Sequence, residues 1–327
     1  MKPQAASPHW AQIGESTFVG GMWLLYQVHR WLGRWPFLAC LYPVVFYYWA
    51  TRRVARAASL EYLQRLQASH GTLGKAPGWR ESLRHFMVFA QVILDKTLAM
   101  TGRYRSERIV FEGREPLLER LRSGQGAVVV TAHMGCIELC QAMAQRQPEL
   151  KLNILVHTRH AQRFNRLMAR LAPDSGVQLL QVSEFDAAMA MMLADKVARG
   201  EFIAIAGDRV PLHDGRTVRV PFLGREAAFP CGPYVIAAVL KCPLYFMGCI
   251  HAGAGYAVTF TVLAQQVVLP RADRQPALES YARDFVQQVE QLLQRAPYDW
   301  FNFFPFWEQG AAPLPGAACV SHKPYGS

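Results

Sequence analysis

Apolar and polar positions alternate with two different periods along the chain, and the change of period near residue 105 divides it. Before that point the apolar residues come in long runs or at helical spacing. RRVARAASLEYLQRLQ and RESLRHFMVFAQVILDKTLAM both repeat at i, i+3, i+4, i+7, and the turn-rich SHGTLGKAPG separates them. After Arg108 the runs shorten and become β-branched, with helical stretches between them. RIVFEG, GAVVVTAH, KLNILVH, VQLLQV, FIAIAGD and TVRVPFLG read as strands. EPLLERLRS, CIELCQAMAQRQ, AQRFNRLMARL and DAAMAMMLADKVARG read as the helices between them, and ALESYARDFVQQVEQLLQRA as a C-terminal helix. PLYFMGCIHAGAGYAVTFTVLA predicts a hairpin. This rhythm predicts an α/β fold with a mixed, mainly parallel sheet flanked by helices. The expected division is a helical region over 1–105, an α/β domain over 106–310 and a tail over 311–327.

The first region has a second property. Between Arg34 and Arg52 lie 17 uncharged residues, WPFLACLYPVVFYYWAT, and an earlier apolar stretch, FVGGMWLLYQV, is separated from them by the basic HRWLGR. As a helix the 17-residue run reaches about 26 Å, short of a hydrocarbon core of about 30 Å, and Pro43 interrupts it. Trp23, Trp31, Trp35, Tyr42, Tyr47, Tyr48 and Trp49 suit a headgroup layer, and Arg30, Arg34, Arg52, Arg53 and Arg56 flank the apolar runs. The expectation is an N-terminal helical membrane anchor, monotopic or re-entrant. A pair of core helices packed on the remaining chain is the alternative.

Charge supports that placement. The 327 residues carry a formal charge of +11, and residues 1–110 hold 14 Lys or Arg against 5 Asp or Glu. The basic excess therefore travels with the aromatic runs, which favours an anionic membrane surface over nucleic acid. Seven scattered Cys, with no Cys-x-x-Cys and no zinc-type spacing, imply neither a disulfide framework nor a metal site.

Chemistry concentrates where VVVTA ends. Ligands of parallel α/β sheets gather outside the carboxyl ends of strands. His133 stands at that point, Gly135 allows a close turn, and Glu138 follows five residues after the histidine: H-M-G-C-I-E. A neutral imidazole can take the proton from an attacking hydroxyl, while a carboxylate on its other ring nitrogen fixes the tautomer and stabilises the imidazolium. His133 and Glu138 are thus the expected catalytic pair for acyl transfer from a thioester, without a covalent acyl-enzyme.

H-x-x-x-x-E after a buried strand, together with the basic apolar N-terminus, resembles the bacterial lipid A late acyltransferases of the lysophospholipid acyltransferase superfamily. VHTRHAQRFNRL, FIAIAGDRVP, VPFLGREAAFPCGP and DWFNFFPFW extend the resemblance over roughly residues 10–308. Asp208-Arg209 stands where lipid A enzymes commonly have Asp-Gln, so the chain is more similar to the branch associated with aryl polyene lipids. The resemblance implies a glycerolipid-acyltransferase-like fold and an enzyme on the cytoplasmic face of the bacterial inner membrane. It also implies an acyl carrier protein or acyl-CoA donor, a lipid or glycolipid acceptor, and no metal or other cofactor. Arg159, Asp208 and Arg209 are the substrate-binding residues it suggests.

In AQRFNRLMARL, Phe164, Leu167, Met168 and Leu171 share one helical face and leave Arg163, Arg166 and Arg170 opposite, a basic row suited to an acidic carrier protein. No G-x-S-x-G, Walker loop or H-E-x-x-H occurs. A membrane-associated glycosyltransferase is the competing enzyme class, although the chain has no Asp-x-Asp. A non-catalytic lipid-binding protein is the competing class without chemistry.

Overall fold

The computed structural model describes residues 27–100, 103–144, 149–156, 177–181, 186–210 and 216–309. Arg159 and the helix expected over 161–171 lie outside them.

The described residues open with a helical segment at 27–32, and three longer helices follow: α1 (Arg34–Thr51), α2 (Arg53–His70) and α3 (Trp79–Met100). Phe37, Leu41 and Val45 of α1 recur every fourth residue and bury one face against Phe86 and Met87 of α3. The other face leaves Tyr42, Val44, Phe46 and Tyr47 exposed, and Pro43 is accommodated inside the helix. Among the described residues no helix is long and apolar enough to cross a membrane.

The α/β part follows as β1 (Ile109–Glu112), α4 (Glu115–Arg122), β2 (Val128–Thr131), α5 (Ile137–Ala144), β3 (Leu152–Val156), β4 (Val177–Gln181), α6 (Ala187–Ala198) and β5 (Phe202–Ala206). It continues with β6 (Thr217–Phe222), β7 (Arg225–Pro230), α7 (Gly232–Leu240), β8 (Leu244–Ala252), β9 (Gly255–Ala264) and α8 (Arg274–Arg295). Seven strands form one sheet in the order β1-β9-β8-β2-β5-β3-β4. Only the β8–β9 pairing is antiparallel, so the sheet is mixed and mainly parallel, as the sequence rhythm implies.

Both faces of the sheet are covered, and the side chains of β2 show it. Val128 and Val130 enter one core layer with Phe246, Phe285 and Leu292, while Val129 enters the other with Phe202, Tyr245 and Val258. On the first face α8 supplies Leu278, Ala282, Phe285, Val289 and Leu292 at helical spacing. TVRVPF, expected in the main sheet, instead pairs with REAAFP in a separate two-stranded hairpin, β6–β7. That hairpin is held by Phe222 and Phe229 against Phe306 and, for Phe222, Trp300.

Candidate active site

Strand order brings the principal groups together. β2 and β5 are neighbours with Thr131 opposite Ala206, so the residues just beyond them, His133 and Asp208, emerge side by side at the carboxyl edge. The Gly207 N–H donates to Thr131 O at 2.7 Å and carries the pairing one residue past β5.

One carboxylate then holds the histidine twice. Asp208 Oδ2 accepts the His133 backbone N–H at 2.9 Å, and Oδ1 lies 2.7 Å from His133 Nδ1. A third donor, Trp300 Nε1, reaches Oδ2 at 3.0 Å. Asp208 is 1% exposed. Burial alone would raise its carboxyl, yet the His133 ring, with Arg209 and the backbone N–H adding to it, holds it well below the usual carboxylate range. A charged carboxylate can only accept, so Nδ1 carries a proton, and whenever the ring is neutral the lone pair lies on the other nitrogen, Nε2.

The turn carrying His133 is pinned from the C-terminal segment. Met134 bridges Trp300, the Gly135 N–H donates to Asp299 O at 2.8 Å, and the Phe301 N–H donates to His133 O at 2.9 Å. Gly135 has φ +53°, and a Cβ there would stand 2.1 Å from Cys249 O, so the close turn needs glycine.

Glu138 sits in the first turn of α5, where its carboxylate meets Lys96 of α3 at 2.6 Å. The carboxylate on the His133 ring is therefore that of Asp208, whereas spacing alone suggests Glu138. Arg209 lies near the same strap, with its guanidinium 3.4 Å from Phe301 O and over the Phe304 ring.

A second clamp repeats the first on the neighbouring strand. His251, at the end of β8, donates its backbone N–H to Asp299 Oδ2, and its Nδ1 lies 2.9 Å from Oδ1 of the same residue. Its ring packs on Tyr256, whose O–H donates to Asp95 Oδ2 at 2.8 Å. Burial raises the Asp95 carboxyl above its ordinary value. Lys96, His251, Asp299 and Trp300 are the site residues that sequence reasoning missed, although the last two belong to the aromatic block DWFNFFPFW. Among the described residues no group of three or more His, Cys, Asp or Glu is placed to hold a metal ion.

An imidazole bound through Nδ1 to a buried carboxylate, at the carboxyl edge of a parallel sheet, is an arrangement able to take a proton from a substrate group. Residues 82–309, more than two thirds of the chain, match the family described as bacterial lipid A biosynthesis acyltransferase, and the chain belongs to it. The protein is an acyltransferase, with an acyl donor and a lipid acceptor as its substrates. No curated protein matches the chain significantly.

Proposed function

We propose that the protein moves a fatty acyl group from a thioester, acyl carrier protein or acyl-CoA, to a hydroxyl or amine of a lipid or glycolipid at the cytoplasmic face of a bacterial inner membrane. The observation that carries this reading is the two-point hold of Asp208 on His133, which engages Nδ1 and leaves Nε2 of a partly exposed side chain as the nitrogen available to a substrate. In the reaction Nε2 takes the proton from the acceptor as its oxygen or nitrogen attacks the thioester carbonyl. The tetrahedral intermediate collapses with loss of the thiolate, and the imidazolium returns the proton to sulfur. No acyl group is attached to the protein at any stage.

Glu138 is the second acidic group in this reading. Its carboxylate, set by Lys96, supports the same step from the side of α3. Arg159 binds a phosphate of donor or acceptor, and Asp208-Arg209 in place of Asp-Gln favours an acceptor other than lipid A itself, in keeping with the aryl polyene branch.

Attachment to the membrane is through the outer face of α1 and the helical residues 27–32 before it. Trp31 and Trp35 are 74% and 82% exposed, and Tyr42, Phe46 and Tyr47 continue the surface beside the exposed Arg30, Arg34, Arg52 and Arg53. Such a face lies in the headgroup layer without crossing it.

Mass spectrometry of lipids from cells with and without the protein tests the reading. One lipid gains a single acyl group in the presence of the protein and none with His133→Ala. A folded His133→Ala protein with normal acyl transfer would end it, and a sugar-sized mass gain would replace it with glycosyl transfer.

A further inference from the structure

A line of hydrogen bonds runs from α1 through Trp300 to the Asp208 carboxylate that holds His133. Trp49 Nε1 donates to Ser82 Oγ at 3.1 Å, and Ser82 Oγ donates to Ser59 Oγ at 3.1 Å. Ser59 Oγ lies 3.0 Å from His85 Nδ1, and His85 Nε2 lies 2.9 Å from Trp300 O. Trp300 in turn donates its indole N–H to Asp208. The roles at His85 follow from its neighbours: a carbonyl can only accept, so Nε2 carries the proton, and Nδ1 of the neutral ring accepts from Ser59. Every donor in the line therefore points towards Asp208.

We infer that His85 is a positioning residue for acyl transfer, acting through Trp300 to fix Asp208 and hence the His133 ring. The inference rests on the reading of His133 as the base. His85 is fully buried between the rings of Tyr62, Phe301 and Phe303, so it touches no substrate and has no other polar work. Burial also pushes its imidazole down to about 4, against the Trp300 carbonyl, which raises it. The ring thus stays neutral near pH 7, as a fixed donor must. Because Trp300 contributes its carbonyl to His85 and its indole N–H to Asp208, a shift of His85 is passed to the carboxylate through one rigid residue. Ser59 and Ser82 carry the same constraint back to Trp49, so the seating of α1 on α3 and the aim of the catalytic imidazole are set by one network.

The test begins on the unaltered protein. Nitrogen-15 NMR of the histidine rings is expected to show His85 as the neutral Nε2–H form at pH 6. The Nδ1–H form, or proton uptake near 6.5, would overturn the inference. His85→Phe should lower kcat about tenfold with KM for the donor unchanged, and His85→Gln, which can both donate and accept, should return most of the loss. Combined with Trp300→Phe, His85→Phe should add no further loss in kcat, because both act through one indole. Wild-type kcat in folded His85→Phe, or losses that multiply in the double variant, would refute it. Should His85→Phe not fold, Ser59→Ala provides the same comparison, with a smaller fall in kcat that Trp300→Phe again masks. His133→Ala is the control. An active His133→Ala protein removes the catalytic reading itself, whereas an inactive one beside a fully active His85→Phe removes only the role of His85.

Discussion

His133 and Asp208, 75 residues apart, are joined by two hydrogen bonds that a single carboxylate accepts, one from the backbone N–H and one from the ring. The backbone bond fixes where the turn lies, and the ring bond fixes which nitrogen faces outward. Asp208→Asn keeps the shape but loses the charge, so it should lower kcat about 10²- to 10⁴-fold while the thermal midpoint changes little by comparison. Steady-state kinetics beside a melting curve measure both. A kcat within a fewfold of wild type would show that the carboxylate only shapes the turn.

The Glu138–Lys96 pair separates two roles for Glu138. If the acid serves the chemical step, Glu138→Ala should be at least tenfold slower whether or not Lys96 is present. If it only neutralises Lys96, the double variant Glu138→Ala with Lys96→Ala should recover activity. The first outcome is expected, and a four-enzyme cycle in kcat measures it.

Gly135 permits no side chain. With φ +53° and a carbonyl oxygen 2.1 Å from any Cβ, Gly135→Ala should destabilise the protein by about 2 kcal/mol or more and displace the His133 turn. Denaturant titration gives the first effect. Activity should fall further than the unfolded fraction explains.

Buried neutral His85 predicts an acid-sensitive stability. Its folded value of about 4 lies below the ordinary 6.5, so between those values the unfolded chain binds the proton and the folded one does not. Stability is therefore complete above pH 6.5 and declines as the pH falls towards 4, by about 3 kcal/mol in all. Asp208, with its carboxyl depressed, adds its own loss only at lower pH, below the ordinary aspartate range. His85→Gln should flatten the first window and leave the second. Urea midpoints at pH 7, 5.5 and 4.5 provide the comparison.

The exposed aromatic face of α1 predicts reversible membrane binding. Replacing Trp35, Phe46 and Tyr47 together by Ser should release the protein from vesicles containing anionic lipid, without loss of helix, because none of the three is buried. Sedimentation with vesicles is the measurement, and undiminished binding would move the contact elsewhere.

Local patterns carried much of this structure in the sequence. The buried VVVT run, the histidine beyond it and the alternation of strands with helices are each set within a few residues, and each lies where the spacing implies. Long-range partners were not legible. That β5 lies beside β2 is a matter of strand order, and the meeting of Asp208 with His133 follows from that order. Glu138 keeps the motif spacing, but entering α5 turns its carboxylate towards Lys96, a helix contact invisible from one segment. REAAFP begins with two charged residues and ends in proline, which hides a strand that pairs with β6. The helix α7 is not expected either, since Gly232-Pro233 at its start is a pair common in turns.

The strap formed by Asp299, Trp300 and Phe301 also has a consequence for synthesis. Chains emerge from the ribosome N-terminus first. The aromatic face of α1 is thus available long before residues 299–301, which pin the His133 turn, supply the third donor to Asp208 and clamp His251. A growing chain can meet a lipid surface while its imidazole still lacks a fixed direction. Chains that end before residue 299 are therefore expected to lack acyl transfer, and the His133 turn takes its final form only once the strap has been made.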